Sequence, residues 1–175
     1  MSGSGIPTDG TIRGSVTNSG QCSPGASPGT LTINGNYTQL PTAVLNIEIG
    51  GLTAGSQFDR LIVTGTATLN GTLRVTRVNG FQPGAGHSFQ VMTFASRSGN
   101  FSNLNGSTTH EVLAVTGTAT NTSYTLTTTA TAFQQWKTTQ FGANAGNPLI
   151  AGANADPEGD CIANWLECAF GLHPL

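Results

Sequence analysis

Charge is scarce in this sequence. Only 8% of residues are Asp, Glu, Lys or Arg, against about a quarter in an ordinary globular domain. With 6 Lys+Arg against 8 Asp+Glu and a formal net charge of -2, there is no basic stripe to neutralise a phosphate backbone, so nucleic acid is excluded as a partner. Long apolar runs are missing as well: none approaches the ~18 residues that a membrane-crossing helix needs. No membrane span is expected. Cysteine is limited to Cys22, Cys161 and Cys168, with no C-x-x-C or C-x-x-C-H spacing, which removes the common zinc and haem-attachment frames. His87, His110 and His173 fall in unrelated segments and read as turn or surface residues. No G-x-S-x-G, Walker A or H-E-x-x-H motif occurs, and so few charges leave no acid–base pair to nominate. The chain is not expected to be an enzyme.

What fills the sequence instead is glycine, 24 residues of it, together with Thr, Ser and Asn. Hydroxyls and amides solvate such a surface in place of charges. This composition, with no nucleotide motif, points to an extracellular or cell-surface location, where cysteines can oxidise. Residues 1–10, MSGSGIPTDG, lack the charged and apolar regions of a signal peptide, so the secreted reading implies a leader already removed.

From residue 29 to 131 apolar residues alternate: Leu31 and Ile33, then Leu45, Ile47 and Ile49, then Leu61 and Val63, then Leu69, Leu73 and Val75. The pattern continues through Phe89 and Val91, Leu113 and Val115, and Tyr124 and Leu126. A period of two marks strands with one buried face. Between them lie INGN, IGGLTAGS, VNGFQPGAGH and SRSGNFSNLNGS, whose glycines supply positive φ and whose Pro83 fixes a corner. Glu48 and Asp59 read as corner groups that tie turns by hydrogen bonds rather than as a catalytic pair. The strands recur every ~12–20 residues, as stacked coils do. The expected fold is therefore all-β, a right-handed parallel β-helix (β-solenoid) over 29–131, with 1–28 as an N-terminal extension or first coil and 132–175 as a small α-helical C-terminal module.

A resemblance agrees with this. Residues 27–101 carry S-P-G-x-L-x-I-x-G-N-Y-x-Q, then L-x-I-E-I-G-G, F-D-x-L-x-V-x-G-x-A-x-L-x-G-x-L-x-V, G-F-x-P-x-x-G-x-x-F and S-x-S-G-x-F. In that order they resemble the end of the autotransporter-like parallel β-helix of large secreted bacterial proteins. The resemblance implies a fold and leaves the ligand open, since such passengers serve as adhesins, scaffolds and stalks.

From Ala132 the composition changes. AFQQWKTTQF places Phe133, Trp136 and Phe141 on one side of a short helix. Trp136, Phe141-Gly142 and then ADPEGDCIANWLECAFGLHP, within residues 133–174, resemble a C-terminal EF-hand-like module of planctomycete and verrucomicrobial secreted proteins. Its acidic part has the spacing D-x-D-x-D-G-x5-E, which puts Asp156, Glu158 and Asp160 at positions 1, 3 and 5. The carbonyl of Ile162 falls at 7, Asn164 at 9 and Glu167 at 12. Those oxygens are the ligand set for calcium. Two departures weaken it: Glu158 is one methylene longer than Asp, and Cys161 stands where glycine normally supplies positive φ. A calcium-free turn capping the following helix is the alternative.

Cys161 and Cys168, about two helical turns and so ~10 Å apart, are too distant to bridge each other. The expectation is that Cys22 pairs with one of them, within the chain or across a head-to-tail contact; the alternative leaves Cys22 a free surface thiol and Cys168 a small core residue. An extracellular structural protein follows, self-associating as a head-to-tail homopolymer, disulfide-linked through Cys22, into a fibre, or forming the terminal part of a surface adhesin. A glycan- or surface-binding module without polymerisation is the other reading, with threonines in TGTATL and TGTATNTSYTLTTTAT as its contact face.

Overall fold

A computed structural model describes residues 10–106 and 114–174. Among these, the chain first makes β1 (Gly10–Arg13), β2 (Val16–Asn18) and β3 (Gln21–Cys22). A second round follows in β4 (Thr30–Asn34), β5 (Tyr37–Gln39) and β6 (Val44–Ile49), and a third in β7 (Arg60–Val63), β8 (Thr66–Leu69) and β9 (Thr72–Arg77). The fourth is β10 (Ser88–Thr93), β11 (Ser96–Gly99) and β12 (Asn103–Asn105). Then come β13 (Ala114–Ala119) and β14 (Ser123–Thr129), and after them α1 (Ala132–Phe141), α2 (Pro148–Ala151) and α3 (Asn164–Phe170). The segment expected to be an extension or first coil thus contributes β1 to β3. Leu113 of the alternation and His110 lie outside the described residues.

Each strand from β1 to β9 pairs with the strand three places on. The result is three sheets, ordered β1-β4-β7-β10-β14-β13, β11-β8-β5-β2 and β12-β9-β6-β3. The pairs among β1 to β12 are parallel. Stacking at this pairing aligns like positions: Leu31 lies beside Leu61 and Leu61 beside Met92, while Ile33 faces Val63. In the third sheet the column is Cys22, Leu45, Leu73 and Leu104. Leu31, Ile33, Leu45, Leu61, Leu73 and Met92 are fully enclosed. The period-two alternation of the sequence is the imprint of these columns.

The expectation of an all-β, right-handed parallel β-helix is corrected here. The strands form three sheets of six, four and four, and the six-stranded sheet is mixed. β14 runs antiparallel to β10, pairing Phe89 with Leu126 and Met92 with Tyr124. The reason lies in the pattern: side chains alternate with a period of two in parallel and antiparallel strands alike, so alternation reports burial and says nothing of strand direction. The register shifts between Gln90 and Met92, a bulge that leaves Val91 and Met92 both buried in sequence. Gly117 on β13 has a packing reason: a Cβ there would lie 2.1 Å from the Tyr124 hydroxyl.

Two buried polar devices hold the turns. Asn18, Tyr37 and Gln39 are enclosed together; the Tyr37 hydroxyl donates to Gln39 Oε1 at 2.6 Å, and Asn18 Nδ2 donates to Tyr37 Oη and the Val44 carbonyl. Gln39 Nε2 donates onward to the Thr72 carbonyl at 3.0 Å, so one cluster spans three successive turns of the chain. The second device is Asp59, which is enclosed and accepts from the Gly29 amide through Oδ1 and the Glu48 amide through Oδ2, each at 2.8 Å. Glu48 takes part through its backbone. The two acidic residues meet as a corner tie.

The chain divides into two compact units, the first carrying the strands and the second running from Thr129 through the helices. Among the described residues no helix is long and apolar enough to cross a membrane.

Burial pushes the Asp59 carboxyl up to about 6 from an ordinary 3.8, with Glu48 adding to the rise and the two amide bonds opposing it. Between those values the folded chain binds more protons than the unfolded one, so this group's contribution to stability falls as pH rises through the window. Asp59→Asn removes the titration and leaves one amide short of an acceptor, at a cost of about 1–3 kcal/mol. Denaturant unfolding from pH 4 to 7 should show the wild-type advantage over the variant shrinking up to about pH 6 and then level.

Candidate metal centre

The C-terminal unit is built on short helices, of which α1 and α2 carry side-chain N-caps. Thr131 caps α1 by accepting from the Gln134 amide. Phe133 stacks on Trp136 at 5.7 Å and Trp136 meets Phe141 edge-on at 5.7 Å, so the three aromatic residues named from the sequence form one cluster. Asn147 caps α2, with Pro148 in its first turn. Gly171 ends α3 in the left-handed conformation, and the Leu172 amide closes back on the Glu167 carbonyl at 2.8 Å.

Between α2 and α3 the chain wraps around Asp156. Its Oδ1 accepts from the amides of Gly159 and Asp160, at 2.8 and 3.1 Å, and its Oδ2 from the amide of Cys161 at 3.0 Å. Asp160 Oδ1 accepts from the Ile162 amide. Cys161 has φ 70, the left-handed region normally left to glycine at this place in the loop. The coil draws Asp156, Glu158 and Asp160 together: an oxygen from each lies within 4.8 Å of the others, all three residues being exposed.

Three exposed acidic groups would not by themselves make a site. A fourth acidic residue, Glu167, differs from them in being buried. It projects from α3, is 1% exposed, and its Oε2 has no hydrogen-bond partner. Burial raises its carboxyl to about 7; Glu158 adds its charge and a hydrogen bond, and Asp160 and Asp156 add their charges alone. A buried carboxyl with one oxygen unpartnered, subject to the charges of three further carboxylates, costs folding energy unless a proton or a cation offsets them. The donor set is all oxygen and heavily anionic, which fits a hard divalent ion such as calcium.

The remaining ligands expected from the spacing fare differently. Asn164 is wholly buried, but its Nδ2 donates to the carbonyls of Ile150 and Gly152 at 2.8 and 2.9 Å, tying α3 to the end of α2. Its Oδ1 is buried without a partner. Ile162 is held by its amide to Asp160. The α2 clamp was not legible, because it depends on where two carbonyls far back in the chain end up.

The thiols depart from expectation. All three are free. Cys22 is no surface thiol awaiting a partner: it is 1% exposed, in the column with Leu45 and Leu73. Burial, reinforced by Asp59, pushes it up to about 12, which removes its nucleophilicity at neutral pH. Cys168 is half-buried and raised by burial, while Cys161 is exposed. The pairing of Cys22 with either is not made in this structure. His87 accepts the Gly84 amide through Nδ1 as part of a turn.

No family model matches this chain, and no curated protein matches it.

Two outcomes check this geometry. Cys161→Gly relieves a left-handed residue carrying a Cβ, about 1 kcal/mol, and calcium titration should show affinity rise about fivefold. Alkylation of the native chain should label Cys161 first and reach Cys22 only on unfolding, read by peptide mass spectrometry; early labelling of Cys22 would contradict its place in the core.

Proposed function

We propose that this chain is a structural or adhesive part of an extracellular or cell-surface protein, associating through its sheet edges and carrying a calcium-stabilised C-terminal unit. The observation that carries this reading is the common ending of the three sheets. Among the described residues, β1, β2 and β3 are the last strands of all three on one side, and they belong to one round of the chain. Parallel strand edges are templates for further strands. A second copy, or a further portion of a longer chain, meets that requirement in the same way, and head-to-tail addition makes a filament. Cys22 plays no part in locking such a contact, given its burial; an intersubunit disulfide would run through Cys161.

Calcium enters as the partner of Asp156, Glu158, Asp160 and Glu167. Its binding would neutralise repulsion among four clustered carboxylates and stabilise the unit that holds them.

A second reading, glycan binding without polymerisation, is favoured by one feature. Outward hydroxyls align across four strands as Thr17, Thr38, Thr68 and Ser98, and Thr66 Oγ1 lies 2.8 Å from Ser96 Oγ beside them. Ordinary β-propensity also places threonines on a solvated face.

Negative-stain electron microscopy with sedimentation, run with and without reductant, tests association: filaments or larger assemblies are expected, and single chains in every condition would overturn it. Calorimetry tests calcium, with Glu167→Gln expected to weaken binding at least about tenfold.

A further inference from the structure

We infer that the third sheet carries, at β9 and β12, a binding site for the anionic group of an acidic polysaccharide, built on Arg74 and Arg77. It lies on a different sheet from the hydroxyl column of the glycan reading above, and it needs neither calcium nor self-association. The site is a cavity of about 400 Å³, open to solvent and lined by Arg74, Val75, Thr76 and Arg77 from β9 and by Asn105 and Gly106 at the end of β12. The chain holds five arginines, Arg13, Arg60, Arg74, Arg77 and Arg97. Two of them beside one cavity concentrate positive charge in a sequence that is otherwise poor in it.

The strand pattern places the two arginines differently. Arg74 is exposed on the outward side of β9, with Asn46 opposite it on β6 and Asn105 opposite it on β12. Asn46 commits its amide to the β3 side, Nδ2 donating to Gln21 Oε1 at 3.3 Å and to Ser23 Oγ at 3.0 Å. No described residue gives Arg74 a hydrogen bond or an ion pair, so its whole guanidinium fork is available. Arg77 ends β9 in register with the enclosed Ile49 and is half-buried. A turn through Asn79 and Gly80, both at positive φ, brings the chain back, and Gln82 Oε1 accepts from Arg77 Nη1. That bond orients the Arg77 guanidinium, whose Nε is buried without a partner.

A guanidinium presents paired N–H groups to a carboxylate or to two oxygens of a sulfate ester. The rest of the lining is neutral. Thr76 offers a hydroxyl and Asn105 an amide, both suited to sugar hydroxyls, while Val75 supplies an apolar floor for the carbon face of a ring. The volume falls within the range of small-ligand sites, about 300–1,000 Å³, and the open sides let a polymer continue past. Among the described residues Glu48, opposite Thr76, is the acidic group on this face. Its charge opposes an anion, and the two arginines outweigh it. Two cations make too short a track for a nucleic acid backbone; they suit a polymer that carries its charges on separate sugar units.

Calorimetry on the full chain, in chelator and at low ionic strength, tests the site with polygalacturonate, dextran sulfate and neutral dextran. Polygalacturonate, dextran sulfate or both should bind, with neutral dextran at least about tenfold weaker. The responding probe identifies the anion as a carboxylate or a sulfate ester. Arg74→Gln should lower the affinity at least about tenfold without moving the unfolding midpoint, and Arg74→Lys, which keeps the charge but loses the fork, should fall between. Glu48→Gln should raise the affinity about twofold. Arg13→Gln, at an exposed arginine of β1, is the control for diffuse charge attraction and should leave binding unchanged. Equal losses in Arg13→Gln and Arg74→Gln, or no binding to either acidic probe, overturn the inference. Binding that survives Arg74→Gln and extends to neutral dextran also overturns it, and leaves the hydroxyl-column reading standing.

Discussion

The twelve parallel strands depend on one constraint: a side chain that points inward in one strand must meet an inward side chain three strands later. Backbone pairing of β1 with β4, β4 with β7 and so on sets the columns, and burial then rejects any shift by one residue, because such a slip would turn each column outward. The consequences reach residues with no hydrophobic character of their own. Cys22 is buried because its register places it inside, beside Leu45. Asn18 and Gln39 are register partners in the second sheet and must carry their amides inside, so Tyr37 and the backbone carbonyls around them become their solvent.

The second unit works by the opposite logic. Its acidic loop gathers Asp156, Glu158 and Asp160, and the charges of all three act on the enclosed carboxyl of Glu167. Backbone amides neutralise part of this: Asp156 alone accepts three. Burial, with the remaining repulsion added, raises the Glu167 carboxyl.

Much of this was legible in the sequence, and what was not has physical reasons. The inward columns at Leu31, Ile33, Leu45, Ile47, Leu61 and Val63 follow directly from alternation. So does the aromatic cluster of α1 from the spacing of Phe133, Trp136 and Phe141. The left-handed Cys161 follows from its place in the loop. Strand direction was not legible, since Tyr124 and Leu126 alternate identically whether β14 runs with β10 or against it. Nor was the environment of Cys22, because a strand of two residues leaves no period to detect. Asn164 shows a third limit: spacing identifies its position in the loop but not its competing obligation to Ile150 and Gly152.

The antiparallel arrival of β14 has a consequence for how matter could be added to this unit. On one side the sheets finish in strands running in the common sense; on the other, the largest sheet continues through the antiparallel β14 to β13 while its two neighbours finish at β11 and β12. The two ends therefore offer different patterns of donors and acceptors, one slanted and evenly spaced, the other partly perpendicular and alternating. Any growth on such a body has a compass: its two tips are different molecules as far as an incoming strand is concerned, and they would elongate at different rates.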